Sequence, residues 1–182
     1  MPRYFAFLRA INVGGHVVKM DHLRKLFESL GFSSVETFIA SGNVIFEAEA
    51  KNVKTLERKI ESGLREALGY EVVTFIRTET ELVEIANHQP FPQSDFEAPA
   101  SLNIVFLGEK LDKQAEQKLL ALRTEFDDLH LRGREIYWLC RKRQSESTIS
   151  NVVFNKTLGK PATVRGANTV KKMAAKYCGF KT

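Results

Sequence analysis

Three short segments carry the residue types that can bind an anion, and all three lie where predicted elements begin or end. The first reads Arg-Ala-Ile-Asn-Val-Gly-Gly-His over residues 9–16 and is followed by Lys19. Two glycines between a strand and a helix can turn backbone N–H groups toward an anion, and the helix N-terminus adds a favourable dipole. The segment is neither a GxGxxG nor a Walker loop, so a plain strand-to-helix turn is the alternative. Its candidate ligand-binding residues are Arg9, Asn12, Gly14, Gly15 and Lys19.

The second and third segments are a predicted hairpin turn and a predicted helix start. Ser41-Gly42-Asn43 has the residues that a tight turn requires, but its hydroxyl and amide groups can also bind a ligand. In residues 162–170, the guanidinium of Arg165 can donate two parallel hydrogen bonds to a phosphate or carboxylate. The alternative is that Asn168 or a neighbour simply caps the last helix. The candidate ligand-binding residues of these two segments are Ser41, Asn43, Arg165, Asn168 and Thr169.

The sequence contains no recognisable catalytic or metal-binding motif. Its four histidines lack metal-ligand spacing, and no GxSxG nucleophile motif occurs. We therefore predict no metal ion and no cofactor, and we assign no catalytic residue. If the protein is an enzyme, Ser41 or His16 would take part in the chemistry, because both lie in the candidate segments.

Positive charge is concentrated toward the C-terminus. Residues 1–131 hold 15 Lys/Arg and 20 Asp/Glu, whereas residues 132–182 hold 12 Lys/Arg and 2 Asp/Glu, and the whole chain has a net charge of +5. Arg141-Lys142-Arg143 follows Tyr137 and Trp138, and basic residues beside aromatic ones can bind nucleic acid. The alternatives are that the aromatic residues belong to the core and that the lysines of the last helix form a solvated face.

Length and composition indicate a globular protein with one large domain or two small ones. Apolar residues make up 43% and charged residues 27% of the 182 residues, which excludes a disordered chain. Two separated cysteines cannot form a disulfide framework. No uncharged run in the sequence, residues 37–46 included, is long enough to span a membrane, and no signal peptide is evident. We predict a cytoplasmic protein without a membrane partner.

The first half of the chain has the order strand, helix, strand, strand, helix, strand. Apolar residues at helical spacing alternate with short β-branched or aromatic runs. This order is typical of the ferredoxin-like fold. Several strands are apolar on both faces, which indicates that the second face of the sheet is also covered. The predicted strands are residues 3–11, 35–40, 44–48 and 71–77, and the predicted helices are residues 21–30 and 51–68.

The second half restarts this order after a proline-rich boundary, but we predict no strand after its second helix. A helix marked by Leu111, Leu119 and Phe126 is predicted to end at Asp127-Asp128, and a final helix is predicted over residues 168–177. The predicted fold class is α+β, with two ferredoxin-like subdomains and a C-terminal helix. The predicted domains are residues 1–78, a helix and proline-rich linker at 79–101, a second ferredoxin-like subdomain at 102–160, and a basic helical segment at 161–182.

Taken together, these segments resemble the bacterial family catalogued as domain of unknown function 1697. The family pattern resembles L-R-G-I-N-V-G-G, then K-M before the first helix, then S-G-N-V-x-F, and later a Ser-Asn segment followed by T-x-R-N-W-N-T-V. The chain departs from it at Ala10, which replaces the usual Gly, and at Gly166-Ala167, which replaces Asn-Trp. The resemblance implies a pair of ferredoxin-like subdomains and no established activity. The matching residues are Leu8, Arg9, Ile11, Asn12, Val13, Gly14, Gly15, Lys19, Met20, Ser41, Gly42, Asn43, Val44, Phe46, Ser150, Asn151, Thr163, Arg165, Asn168, Thr169 and Val170.

The candidate residues are mainly hydrogen-bond donors, which suits anion binding better than covalent catalysis. The leading hypothesis is therefore a protein that binds a phosphate-containing ligand, with nucleic acid or a nucleotide favoured. One alternative is an enzyme that acts on a small anionic metabolite, with Arg9 and Arg165 holding the anion. Another is a structural or interaction module.

Overall fold

The computed structural model describes residues 1–179 and 181, which form two compact units, Met1–Val83 and Glu84–Thr182. Each unit contains one four-stranded antiparallel sheet. The predicted fold class is thus confirmed. The strands are β1 (Arg3–Leu8), β2 (Ser33–Thr37), β3 (Asn43–Glu47), β4 (Thr74–Thr78), β5 (Ser101–Leu107), β6 (Asp127–Arg132), β7 (Glu135–Cys140) and β8 (Ala162–Gly166). The helices are α1 (Met20–Ser29), α2 (Val53–Leu68), α3 (Glu79–Asn87), α4 (Lys113–Leu120), α5 (Asn151–Leu158) and α6 (Ala167–Cys178).

The first unit has the ferredoxin-like strand order β2-β3-β1-β4, with β1 between β3 and β4. Tyr4, Ala6 and Leu8 of β1 belong to the same hydrophobic core as Phe27 of α1 and Ile60 of α2. Side chains alternate along a strand, so these three residues share one face of the sheet. Burial of the apolar face of each helix against this sheet is what stabilises the unit.

The second face of the first sheet is also buried, as the apolar runs predicted. Phe5 and Phe7 alternate with the residues that face the helices, and neither has any exposed surface. The same holds in the second unit, where Ile104 and Phe106 alternate with Val105 and Leu107, and all four are buried. Each sheet therefore has two apolar faces. An antiparallel sheet with one face in water usually has polar residues on that face.

The second unit repeats the strand order of the first, as β6-β7-β5-β8. Strand β8 differs from the prediction, which has no strand after the second helix of this half and assigns residues 161–182 to a basic helical segment. In the structure this strand pairs with β5, from Asn103 opposite Gly166 to Leu107 opposite Ala162. Its small and β-branched residues complete the sheet, and α6 begins directly after it.

The helix predicted to reach Phe126 is shorter, because a hydroxyl group takes over the backbone hydrogen bonds that would continue it. Helix α4 ends at Leu120. The Thr124 hydroxyl then accepts hydrogen bonds from the N–H groups of Phe126 and Asp127, a local pattern that competes with helix. Asp127 and Asp128 were predicted to end a helix, but they begin β6.

Asp127 is a buried carboxylate that organises the core of the second unit. It accepts hydrogen bonds from Trp138 Nε1 at 2.9 Å, Ser147 Oγ at 2.8 Å and Thr124 Oγ1 at 3.0 Å. Burial alone raises the pKa of this carboxyl, but the hydrogen bonds from these three donors hold the pKa below its ordinary value. Trp138 also packs edge-on against Phe154, so its ring is a core residue.

We expect Asp127→Asn to lower the free energy of unfolding at pH 7 by about 1–3 kcal/mol, because an amide cannot accept from all three donors. Asp128→Asn is a matched control, since Asp128 is half-buried and pairs with Arg123 and Arg141. Asp128→Asn should lower the free energy of unfolding by less than about 1 kcal/mol. Chemical denaturation measures both.

The pKa of Asp127 is lower in the folded state than its unfolded value near 3.8, so the ionised carboxylate stabilises the fold fully above that value. This stabilisation is lost as the pH falls through the folded-state pKa. The difference between wild type and Asp127→Asn should therefore shrink below about pH 4. Equal costs for the two variants at pH 7 would contradict this role of Asp127.

Candidate functional site

The first and second candidate segments meet at one end of the first sheet. Because β1 and β3 are antiparallel neighbours, the end of β1 lies beside the start of β3. The Leu8 N–H donates to Gly42 O at 2.8 Å, and Asn12 Nδ2 donates to Ala40 O at 3.0 Å. The loop of residues 9–19, here called the glycine loop, is thus attached to the loop of residues 38–42, here called the hairpin loop.

Two asparagines that were predicted to bind a ligand also hold these loops in shape. Asn12 Oδ1 accepts from the Val18 N–H at 2.7 Å, which closes the glycine loop. Asn43 is the first residue of β3 and is fully buried, and its Nδ2 donates to Phe38 O and to Ser41 Oγ, both at 2.9 Å. The sequence did not reveal these roles, because most of the partners are backbone groups, which any residue type supplies.

The backbone of these loops is strained. Four described non-glycine residues have positive φ, and three of them, Ala10, Asn12 and Ile39, lie in the two loops. Such conformations cost free energy for residues with a Cβ atom and persist where surrounding contacts impose them. Gly42, with φ of 76°, leaves no room for a side chain, because a Cβ would lie 3.1 Å from Ile11 Cβ.

The part of the glycine loop that faces solvent is basic and rich in glycine. Gly14 and Gly15 are exposed and have φ of 63° and 85°. Lys19 is exposed and Arg9 is half-buried, and residues 9–20 contain no Asp or Glu. Helix α1 then begins at Met20 without a side-chain cap. Exposed glycine backbone, a helix N-terminus and two basic residues therefore lie within one short segment of the chain.

His16 and Ser41, the two residues proposed for chemistry, are both engaged in the fold. The His16 ring stacks on Tyr70 with centroids 3.8 Å apart, which fixes the middle of the glycine loop. Ser41 Oγ accepts the hydrogen bond from Asn43 Nδ2. Burial raises the pKa of the Tyr70 hydroxyl, so it stays protonated at neutral pH.

The third candidate segment belongs to the second unit and forms the junction of β8 and α6. Arg165 is a strand residue with 8% of its surface exposed, and it donates to Thr163 Oγ1 and Val164 O, both at 2.9 Å. Burial lowers the pKa of its guanidinium to about 10. The alternative that Asn168 or a neighbour caps α6 with its side chain does not hold, because the cap residue is Gly166 and no side-chain cap forms. Asn168 is exposed and Thr169 is half-buried.

The basic segment 141–143 is partly neutralised. Arg141 Nη2 lies 2.9 Å from Asp95 and 3.8 Å from Asp128, and Lys142 Nζ lies over the Phe126 ring. Tyr137 is buried and donates from its hydroxyl to Ile85 O at 3.3 Å. Neither Tyr137 nor Trp138 therefore offers a ring face to a base, and the alternative that both are core residues is confirmed.

Within residues 1–179 and 181, no three His, Cys, Asp or Glu side chains are grouped so that they could hold a metal ion. In the same part of the chain, no helix has the length and apolar character needed to cross a membrane.

The two ferredoxin-like units and the loops at their strand ends define an α+β protein. The family described as "Protein of unknown function (DUF1697)" matches residues 1–137, and the chain belongs to this family. Among solved structures, the chain is similar to the conserved bacterial protein SP0830 from Streptococcus pneumoniae. The two are 24% identical with a TM-score of 0.71, and the match covers 97% of this chain and 98% of that one, which shows a common fold. A comparison with curated proteins gave no match.

Ala10 has φ of 64° at the position where the family pattern has glycine, so Ala10→Gly should relieve strain. We expect the variant to be more stable by about 0.5–1 kcal/mol, measured by urea denaturation. Ala67→Gly is the control, because Ala67 is an exposed residue of α2 and the same change there should cost about 1 kcal/mol. Equal destabilisation by both changes would contradict the strain argument.

Proposed function

We propose that the protein binds a phosphate-containing ligand at the glycine loop, with nucleic acid or a nucleotide as the ligand class. The observation that carries the proposal is the exposed Gly14-Gly15 backbone in the left-handed region, inside a loop whose charged side chains are all basic. Arg9 and Lys19 flank the two glycines. This combination supplies donors and positive charge without a competing carboxylate.

The bracing of the loop supports the proposal. Asn12 ties the loop to Val18 and Ala40, and the stacking of His16 on Tyr70 holds its middle. A loop that is already ordered loses little conformational entropy when it binds, so its affinity for an anion is higher. Strained backbone in three residues of the two loops is a cost that a binding role would explain.

Contacts to phosphate, rather than to bases, are expected to dominate binding. The two aromatic residues beside the basic segment are buried, so stacking on Tyr137 or Trp138 is not part of the proposal. The first unit holds 11 basic and 11 acidic residues, whereas the second holds 16 basic and 11 acidic residues. The second unit therefore carries the whole net charge of +5 and would add nonspecific attraction for a polyanion.

Binding to a labelled oligonucleotide, followed by fluorescence anisotropy between 25 and 300 mM salt, tests the nucleic-acid form of the proposal. With about five phosphate contacts on duplex DNA, log K should fall against log salt with a slope of about −4.5. A thermal-shift titration with a mononucleotide tests the form of the proposal in which the ligand is a nucleotide. Absence of binding to both probes at low salt would contradict the proposal, and a flat salt response would exclude nucleic acid.

Lys19→Ala is expected to weaken binding about three- to tenfold and to reduce the salt slope by about 0.9, because one phosphate contact is removed. Lys51→Ala is the matched control, since Lys51 is an exposed lysine of the same unit outside the glycine loop. It removes the same charge and should leave affinity within about twofold. Equal losses for both variants would show that net charge, and not the loop, determines binding.

A further inference from the structure

A cavity of about 460 Å³ lies within the second unit, beside the beginning of α6. Its walls come from the segment after α3, the start of β5 and the junction of β8 with α6. This volume falls in the range of small-molecule sites. The residues that matter for its chemistry are His88, Phe96, Ser101, Asn103, Asn168 and Lys171.

Three polar atoms in this wall are buried and have no hydrogen-bond partner among the described residues. They are Asn103 Nδ2, Ser101 Oγ and His88 Nε2. Asn103 is the most enclosed, with 6% of its surface exposed, and the strand register places it between Trp138 and Gly166. Buried polar groups are almost always paired, because an unpaired one destabilises the fold. A ligand that accepts hydrogen bonds in the cavity would pair with Asn103 Nδ2 and Ser101 Oγ, which are both able to donate.

The charges around the cavity indicate the sign of that ligand. Helix α6 has 12 residues, follows the cap residue Gly166 without a side-chain cap, and has no acidic residue in its first turn. Lys171 lines the cavity from the second turn of α6 and supplies positive charge there. Among the described residues, no Asp or Glu lines the cavity. An anion is therefore the complementary ligand.

We propose that this cavity binds a small phosphate monoester, with the phosphate group near Asn103, Lys171 and the first turn of α6. A phosphate has three oxygens that accept from several directions, which suits donors that come from a strand and a helix. Phe96 and Leu102 give the cavity an apolar part that can take the organic portion of the ester. The site is separate from the glycine loop, because every residue that lines it belongs to the second unit.

The test titrates the full chain with inorganic phosphate, ribose 5-phosphate and adenosine 5′-monophosphate, with citrate as a carboxylate probe at matched ionic strength. Two-dimensional amide NMR follows the Asn103 side-chain NH₂ and the backbone N–H groups at the start of α6. Saturable shifts of these signals by a phosphate ester are expected. If citrate shifts them and the phosphate probes do not, the phosphate assignment is wrong. If no probe shifts them, the site proposal is overturned.

Two neighbouring lysines provide matched variants. Lys171 lines the cavity and Lys172 is the exposed next residue of the same helix. Lys171→Ala should weaken binding of the phosphate ester about tenfold or more, because a charge-assisted hydrogen bond is lost. Lys172→Ala should change it less than about twofold. Equal effects would mean that general charge attracts the ligand, which contradicts a built site.

Asn103→Leu separates a binding role from a structural one. Leucine has the same number and branching of side-chain heavy atoms and removes a buried donor that has no partner in the second unit's described residues. If Asn103 serves a ligand, the variant should unfold at the same or a higher temperature and should lose the phosphate-induced shift in that temperature. If it unfolds at a lower temperature and still responds to the ester, the proposal is wrong. Asn103 and Lys171 lie outside the glycine loop. A negative result for the cavity therefore does not contradict the proposed binding of oligonucleotides at that loop.

Discussion

Both candidate sites depend on the antiparallel pairing of a central strand with two neighbours. In the first unit, β1 lies between β3 and β4, and the register that sets Phe7 opposite Asn43 brings the glycine loop against the hairpin loop. In the second unit, β5 lies between β7 and β8, and the register that sets Asn103 opposite Gly166 brings a buried amide beside the start of α6. Most of these polar groups lie at or near strand ends, because the central strands β1 and β5 are largely apolar and buried.

Much of the architecture could be predicted because it depends on local pattern. Apolar spacing located α1 and α2, and the short runs on either side of Ser41-Gly42-Asn43 located a hairpin, although Asn43 itself belongs to β3. Strand β8 was missed because its five residues include only two β-branched side chains and two residues, Arg165 and Gly166, that resemble a loop. Its pairing with β5 is a long-range contact that no local pattern encodes.

Prediction of site residues was limited by a different cause. Polar residues in loops are visible as candidates, but the sequence does not show whether their donors point to solvent or to the protein's own carbonyl groups. Asn12 and Asn43 donate to backbone oxygens of the hairpin loop, whereas Gly14, Gly15 and Lys19 remain exposed. Asn103 was overlooked for the opposite reason. It is a single polar residue in the apolar run Leu-Asn-Ile-Val-Phe-Leu, and that interruption was the available signal.

The two departures from the family pattern lie at these same strand ends. Ala10 adopts a left-handed conformation in which its Cβ is a source of strain, and the loop keeps this conformation because Leu8 and Arg9 are fixed by backbone hydrogen bonds to Gly42 and Val73. Gly166-Ala167 stands where the pattern has Asn-Trp, and both residues line the cavity of the second unit. A Cβ added at Gly166 would meet no atom closer than 3.9 Å, so the small residues leave space that a larger pair would occupy. The size of the cavity therefore depends on the small residues at the junction of β8 and α6.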